Sequence, residues 1–349
     1  MAANCIGLDI GASAVKVVQL RETRKGLYLE NFGIRNLPPQ SIVDGTIMNQ
    51  VAVLEAIESL FASMGIKRKE VALAVSGRNV IVKKIALPQM SMTDLSEELS
   101  LEMKHHIPFA REEVEVDYEV VVPKNAEGQM EVLLVAAKKE IIVDYLELVR
   151  EAGLQTTVLD VSAFAVQNIY ERCRGISPVD TLIILNVGAV STSINIVLGG
   201  VTTFVRDVSI GGESVTGEIA RSMQLSMEEA EFRKSEAASG IGVDPDLMKI
   251  ITKVCDVMAG EFQRSIDYFL SSTRATEKIR LVVTGGGSIL KPLVHSIERK
   301  SHLPVEVFDG FTQGVIVDPA KFDMNLLQAR AATASVALGL ALRRPGDKR

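Results

Sequence analysis

A strand–turn–strand pattern occurs twice in the chain, and it constrains the fold more than any other feature of the sequence. The first copy spans Ile6–Val18 and the second spans Leu185–Val197. In each copy an apolar run leads through a polar residue into a tight turn of glycine and small hydroxyl residues, and a second apolar run follows. This arrangement is typical of a β-hairpin. Two widely separated copies predict two similar lobes.

The elements that follow the two hairpins occur in a similar order. After the first hairpin the pattern predicts a strand over Gly26–Arg35, a helix over Met48–Met64 and a buried strand over Val71–Val75. After the second hairpin it predicts a strand over Thr202–Val208 and a helix over Glu213–Met223. Further helices are predicted over Ser226–Ala238, Pro245–Ser272 and Met324–Leu342, with strands over Thr156–Asp160 and Leu281–Thr284.

One segment has no counterpart in the second half of the chain. It reads as a strand, a helix, a hairpin and a helix, over Val80–Leu87, Met92–His105, Val114–Val122, Met130–Ala137 and Lys138–Ala152. We therefore predict an α/β protein with five segments. They are a first lobe (1–78), an inserted α+β subdomain (79–154), the rest of the first lobe (155–180), a second lobe (181–325), and a closing helix that returns to the first lobe with a flexible basic tail (326–349).

The composition excludes several classes of protein. A formal net charge of −6 gives no general attraction for nucleic acid. The three cysteines show no metal-binding or disulfide spacing, which favours a reducing compartment. No apolar run approaches the roughly 18–20 residues needed to cross a membrane, so we expect a cytoplasmic protein. The tail Arg343–Arg349 is expected to be a solvated end, because Pro345 and Gly346 break any helix there.

The first hairpin turn carries residues suited to phosphate and magnesium. In the motif Asp9-x-Gly11-x-Ser13-x-x-Lys16, a tight turn through Ala12 presents backbone amides, and Ser13 adds a donor. Lys16 can neutralise phosphate charge, and Asp9 can hold Mg²⁺ through bound water. An ordinary hairpin is the alternative, which this motif alone does not exclude.

Two further glycine turns follow in the sequence. The second turn can face the first and contact phosphate from the other side; it contains Asn186, Gly188, Ala189, Ser191 and Thr192. The third turn lies between a buried strand and a helix, and its lack of side chains lets a flat ligand approach the backbone. It consists of Gly285, Gly286 and Gly287.

In this order, the three motifs resemble those of the actin-like ATPase superfamily, which includes Hsp70, sugar kinases, MreB and FtsA. The resemblance implies two lobes around a nucleotide cleft that holds ATP or ADP with Mg²⁺. It assigns the first two turns to phosphate and the third to adenosine. The run Ala230-Glu231-x-x-Lys234 also resembles the family segment that flanks ribose and base, although this spacing is common in exposed helical ion pairs.

One position departs from the family pattern. Most relatives have an aspartate at the start of the second turn, where this chain has Asn186. An amide can orient water, but it supplies no anionic ligand or base. We therefore expect nucleotide binding with slow or absent hydrolysis, and we assign no catalytic residue.

The inserted segment narrows the resemblance further. Its position is similar to that of the special subdomain of FtsA and of the PilM family of type IV pilus assembly proteins. The strings Glu102–Phe109 and Val158–Ala165 resemble PilM in particular. Membership would imply binding to the N-terminal cytoplasmic tail of PilN, a link to the pilus motor and platform proteins, and inner-membrane association only through partners.

Two other functions remain open at this stage. A filament-forming protein like FtsA or MreB would self-associate when nucleotide is added. A small-molecule kinase would need a carboxylate base in the cleft. Asp160 is a candidate for that base by its order in the chain, but its apolar neighbours also suit a residue that caps the next helix.

Overall fold

The computed structural model describes residues 4–240, 244–272 and 278–347. The chain begins with the first predicted hairpin, which leads through a third strand and a helix to a buried strand. The elements are β1 (Ile6–Ile10), β2 (Ala14–Thr23), β3 (Gly26–Asn36), β4 (Ile42–Val43), β5 (Thr46–Ile47), α1 (Gln50–Met64) and β6 (Glu70–Val75).

The next elements include the predicted insertion. They are β7 (Val80–Pro88), α2 (Met92–His106), a 3₁₀ turn (Arg111–Glu113), β8 (Val114–Val122), β9 (Gln129–Lys138) and α3 (Lys139–Glu151). The chain then continues through β10 (Gln155–Val161) and α4 (Ser162–Arg174). Each helix and strand predicted in this part of the sequence is present, with ends that differ by a few residues.

The second half starts with the second hairpin. Its elements are β11 (Thr181–Val187), β12 (Thr192–Leu198), β13 (Val201–Val208), α5 (Gly212–Met223), α6 (Met227–Ser239), α7 (Pro245–Ser272), β14 (Ile279–Thr284), a 3₁₀ turn (Gly286–Ile289), α8 (Lys291–Ser301), β15 (Val305–Val307), α9 (Gly310–Gln313) and β16 (Val315–Ile316). The closing segment contains α10 (Met324–Arg330), a 3₁₀ turn (Ala331–Ala334) and α11 (Ser335–Leu340).

Two large sheets organise these strands. The first has the order β10-β6-β1-β2-β3-β16 and the second has the order β15-β14-β11-β12-β13-β7-β9-β8. Both predicted hairpins are antiparallel pairs, β1 with β2 and β11 with β12. The inserted strands continue the second sheet, because Lys83 of β7 pairs with Phe204 of β13. This junction between the insertion and the second lobe was not predicted.

Helix α4 is bonded to strands of the second sheet although it follows β10 of the first. The Gln167 side-chain oxygen accepts hydrogen bonds from Asn195 Nδ2 at 3.1 Å and from Thr202 Oγ1 at 2.5 Å. Near the end of α4, Tyr170 donates to Glu306 Oε2 at 3.1 Å, and Arg280 donates to the same carboxylate. Buried polar groups bonded in this way rigidify the contact between the two sheets.

The prediction of one closing helix over Met324–Leu342 is wrong, because the segment is broken at Ala331–Ala334. The Ala332 carbonyl accepts hydrogen bonds from the Gly285 amide at 3.0 Å and from Ser335 Oγ at 3.2 Å. A carbonyl used by side chains and by another segment is taken out of the regular helical ladder. The break therefore places the closing segment against the third glycine turn.

The prediction of a solvated tail is wrong for Arg343. Its side chain is buried and forms an ion pair with Asp160, with 3.3 Å between Nη1 and Oδ2. Its carbonyl accepts a hydrogen bond from the Cys5 amide. The next residue, Arg344, donates to Glu22 at 2.7 Å. The chain is therefore anchored to the first sheet as far as Arg344.

Helix α11 packs with almost no space between its backbone and its neighbours. A methyl group on Gly7 of β1 would overlap the Ala337 carbonyl oxygen, and a methyl group on Gly339 would overlap the Ala165 carbonyl oxygen of α4. Both clashes are with backbone atoms, which cannot rotate away. Glycine is therefore required at these two contacts.

We predict that Gly339→Ala lowers the free energy of unfolding by about 1–3 kcal/mol, the usual cost of overpacking a core. Urea unfolding of purified variants measures this difference. Gly217→Ala in α5 is the control, because a methyl group there meets no atom within 4 Å. The free energy of unfolding of that variant should rise by up to about 1 kcal/mol, because alanine has a higher helix propensity than glycine. Equal stability of the two variants would contradict the packing argument.

Candidate functional site

A salt bridge joins the two strands next to the first turn. Asp9 of β1 lies directly opposite Lys16 of β2, and Lys16 Nζ is 2.9 Å from Asp9 Oδ2. The two side chains are mostly buried. The Gly11 amide donates to the Ala14 carbonyl at 3.1 Å and closes the turn, while Ser13 is exposed. The structure therefore brings the predicted charged residues of this turn together.

One residue of the insertion, Tyr145, was not among the predicted site residues. Tyr145 of α3 is buried, and burial together with the nearby Asp9 carboxylate raises the pKa of its hydroxyl. Tyr145 will therefore stay neutral at physiological pH. Tyr145 packs in the same apolar cluster as Ile10 and Val15, so α3 of the insertion lies beside the strands that carry the first turn.

The second turn is bonded to the start of α5. The Gly188 amide donates to the Ser191 carbonyl at 2.9 Å, and the Gly188 and Ala189 carbonyls accept from the amides of Gly212 and Glu213. A methyl group at Gly211 would lie 2.5 Å from the Ala189 carbonyl oxygen, which requires glycine there. These contacts fix the turn against the first residues of the helix.

Thr192 has a different environment from the one expected of a phosphate ligand. The residue is fully buried, and its hydroxyl donates to the Ile210 carbonyl at 2.8 Å. The proton of this hydroxyl is therefore already used within the fold. Thr192 stabilises the segment that leads into α5.

Both turns retain backbone donors with no partner in the fold. The amides of Ala12 and Ser13 in the first turn, and of Ala189 and Val190 in the second, form no hydrogen bond with another residue in the described ranges. Successive amides in a tight turn form a concave donor site for anions. Val190 was not among the predicted site residues, because its apolar side chain gave no indication of a role for its amide.

The third turn packs directly on the second. Gly285 has a φ of +83°, in the left-handed region that favours glycine. A methyl group there would lie 2.5 Å from both Asn186 Oδ1 and the Val187 carbonyl oxygen, and one on Gly287 would overlap the Val187 side chain. A methyl group on Gly286 would lie 3.6 Å from its nearest neighbour, the side chain of Thr333 in the closing segment. The structure therefore joins the second and third motifs into one site.

Glu231 and Lys234 belong to a hydrogen-bonded network rather than to an exposed pair alone. Thr216 of α5 donates to Glu231 Oε2 at 2.6 Å, and Lys234 Nζ donates to Thr216 Oγ1 at 2.8 Å and to Glu231 Oε2 at 2.6 Å. Lys234 also donates to the Gly212 carbonyl at 3.2 Å. Since Gly212 bonds to Gly188, the network connects to the second turn. Thr216, its central residue, was not predicted.

Asp160 does not have the environment of a catalytic base. Its Oδ1 accepts a hydrogen bond from the adjacent Val161 amide at 2.8 Å, and its Oδ2 faces Arg343. Burial raises its pKa, while the Arg343 charge acts in the opposite direction. The carboxylate that the kinase alternative would use is therefore enclosed within an ion pair.

A second buried carboxylate lies where the two sheets meet. Asp207 of β13 accepts a hydrogen bond from the Gly77 amide, just beyond β6, at 2.5 Å. Burial raises the pKa of Asp207, which the hydrogen bonds from Ser193 and Gly77 oppose. Asp207 pairs with Ser193, which pairs with Asn186, so the three lie in one row across the sheet. The sequence did not predict this residue.

In the part of the chain that the structure describes, no helix is long and apolar enough to cross a membrane. No group of three or more histidine, cysteine or acidic side chains suited to holding a metal occurs in the same ranges.

Comparison with known proteins defines the class of the fold. Structures of MreB 5 of Spiroplasma citri bound to ADP and to AMPPNP match with a TM-score of 0.52 at 13% identity, over 97% of this chain and 94–95% of theirs. The cell division protein FtsA of Bacillus subtilis is 23% identical over 260 residues, which are 66% of this chain and 57% of FtsA. The fold is that of the actin-like ATPases, as predicted.

The particular family is equally clear. The family model described as type IV pilus assembly protein PilM matches residues 7–345. A structure of a PilM-PilN type IV pilus biogenesis complex matches with a TM-score of 0.86 at 29% identity, covering 98% of both chains. The chain belongs to the PilM family of type IV pilus assembly proteins, which confirms the resemblance found in its sequence.

We predict that Thr216→Val lowers the free energy of unfolding by about 1–3 kcal/mol, because it leaves Glu231 and Lys234 without their shared partner. Thermal or urea unfolding measures the change. Ser222→Ala, on the same helix, removes an exposed hydroxyl that bonds to Glu218 and should change stability by less than about 0.5 kcal/mol. Equal effects of the two substitutions would show that the network does not stabilise the fold.

Proposed function

We propose that this actin-like component of the type IV pilus assembly machinery binds ATP or ADP with Mg²⁺ between its first and second turns. The observation that carries the proposal is the set of free amides at Ala12 and Ser13, in the turn that carries Lys16, and at Ala189 and Val190 in the second turn. Amides and a lysine in this arrangement suit phosphate oxygens. MreB, which shares the fold, has been solved with ADP and with AMPPNP.

The first turn fits a magnesium-bound phosphate chemically. Asp9 and Lys16 neutralise each other in this structure, and bound Mg²⁺ and phosphate would each supply a new partner of opposite charge. Mg²⁺ usually retains several waters and needs only one or two carboxylates, which a single Asp9 can satisfy. When bound, the ion would neutralise phosphate charge, while Lys16 and the turn amides orient the phosphate chain.

The nucleoside is assigned to the third turn and the Glu231–Lys234 network. Gly285, Gly286 and Gly287 present backbone without side chains beside the second turn. Thr216 holds Glu231 and Lys234 in fixed positions next to Gly212. These positions support a role for both residues in contacting ribose and base.

Hydrolysis should be slow because the site lacks an anionic group at Asn186. The Asn186 amide lies beside Gly285, at the position where most relatives place an aspartate. A neutral amide can donate to water or orient it, but it takes no proton from it. We therefore propose a nucleotide-binding protein with weak or absent ATPase activity.

We further propose that the chain binds the N-terminal cytoplasmic tail of PilN. The supporting finding is the 29% identical structure of a PilM-PilN complex. Through PilN the protein would connect to the platform and motor proteins and associate peripherally with the inner membrane. Nucleotide can influence such a partner because the insertion lies close to both turns. Its Tyr145 packs in the same apolar cluster as Ile10 and Val15 beside the first turn. Its first strand begins just after Gly77, whose amide bonds to Asp207 in the same row as Asn186.

The test is Mg-ATP binding by calorimetry with and without a synthetic peptide of the PilN tail. We expect the peptide to change nucleotide affinity, and nucleotide to change peptide affinity by the same factor, since linkage is reciprocal. Lys16→Ala should lower the affinity for ATP by about tenfold or more, because a charge-assisted hydrogen bond contributes roughly 1.5–3 kcal/mol. Lys25→Ala, in the exposed β2–β3 turn, is the matched control. Absence of nucleotide binding by the parent protein would refute the proposal, whatever the peptide does.

A second test concerns turnover. Asn186→Asp restores the family carboxylate and should raise multiple-turnover ATP hydrolysis, with a gain on the order of 10²-fold for a working base. Phosphate release under saturating Mg-ATP measures it, and Asn325→Asp, at an exposed position at the start of α10, controls for an added charge. Unchanged turnover would mean that Asn186 does not limit hydrolysis.

A further inference from the structure

Strand β8 of the insertion leaves one edge of the large sheet open. It is the last strand of the eight-stranded sheet and pairs only with β9 in the described ranges. The pairing is regular from Val114 to Val120, and then a bulge at Val121 interrupts it. An unpaired strand edge presents a row of backbone donors and acceptors that another chain can extend. Seven residues of β8 therefore form a regular, open edge.

Local groups occupy only part of this edge. Arg111 Nη1 donates to the Val114 carbonyl at 3.2 Å, and the Tyr118 amide bonds to the neighbouring Asp117 carboxylate at 2.9 Å. Both side chains are near or at the surface and can rotate away. An incoming strand would therefore replace at most these two local bonds.

The two faces of β8 have opposite chemistry. Val116, Tyr118 and Val120 pack partly buried against the apolar cluster under α2. On the other face, Glu115, Asp117 and Glu119 are exposed. Because side chains alternate between faces, an added strand would place every second residue beside the apolar cluster and the others beside the carboxylates.

The negative charge is concentrated in this part of the molecule. Residues 79–154 contain 15 acidic and eight basic side chains, a formal charge of −7, whereas the whole chain carries −6. Glu115 has one distant ion pair, 3.8 Å from Lys139. Asp117 and Glu119 have no ion pair with any described residue. The charge beside the open edge is therefore available to a basic partner.

A second copy of the same chain suits this edge poorly. If two β8 strands paired antiparallel about Asp117, the two Asp117 side chains would lie opposite each other, and Glu115 would lie opposite Glu119. Like charges directly opposite across two strands are destabilising. Self-pairing is thus opposed by the same residues that attract a basic strand.

We propose that the β8 edge accepts an extended segment of a partner protein in which basic and apolar residues alternate. The segment adds a ninth strand to the sheet. Its basic side chains face Glu115, Asp117 and Glu119, and its apolar side chains extend the layer formed by Val116, Tyr118 and Val120. This surface goes beyond the proposed nucleotide function and does not depend on it.

The test uses the full chain and a nine-residue peptide in which lysine and valine alternate. We expect saturable binding that weakens with salt, and slower hydrogen exchange of backbone amides in 114–120 when the peptide is bound. Replacing Glu115, Asp117 and Glu119 together with Gln, Asn and Gln keeps their shapes and removes three charges. Because three attractive cross-strand charge pairs are lost, affinity should fall about tenfold.

Two controls separate strand addition from general attraction to an acidic surface. Glu97, Glu140 and Glu147 are exposed acids on α2 and α3, and replacing all three with Gln makes the same change in net charge away from β8. That variant should bind the peptide nearly as well as the parent. A peptide methylated on alternate backbone nitrogens keeps its charge but cannot pair along that edge, and it should bind at least tenfold more weakly. Equal loss in both triple variants, or full binding of the methylated peptide, would overturn the proposal.

Discussion

The close contact of α11 with β1 and α4 is the constraint on which the rest of the structure depends. At Gly7 and Gly339 no side chain separates the three backbones. The first sheet, α4 and the closing segment are therefore held as one unit. The same closing segment offers the Ala332 carbonyl to the Gly285 amide, and Gly285 packs on Asn186. One packing contact in the first lobe thus helps to position two of the three glycine turns.

The sequence was most informative where structure is set by near neighbours. A glycine turn between alternating strands defines a hairpin and its register, so the pairing of Asp9 with Lys16 follows from their equal distance from the turn. The three-glycine run was also predicted correctly as a turn. The structure adds the reason for glycine at Gly285 and Gly287, because Asn186 and Val187 fill the space that a side chain there would need. Such local rules gave most of the helices and strands.

Other features depend on residues far apart in the chain, and no local pattern encodes them. Lys83 and Phe204 join the insertion to the second lobe's sheet, although each lies in an ordinary strand. Arg343 is drawn into the interior by Asp160, so a basic tail with a proline and a glycine became an anchored segment. Thr216 and Asp207 gain their importance only from partners that the fold brings to them.

The attachment of the insertion has a mechanical consequence. Its first strand is covalently continuous with β6 of one lobe and paired with β13 of the other, close to the Gly77–Asp207 bond. Any change in the angle between the lobes must therefore twist this junction and rotate the insertion about it. Strand β8 lies three strand spacings from β13, or about 14 Å, so it travels farther than the junction itself. Small rearrangements around the first and second turns would be magnified at an outer edge that lies far from both.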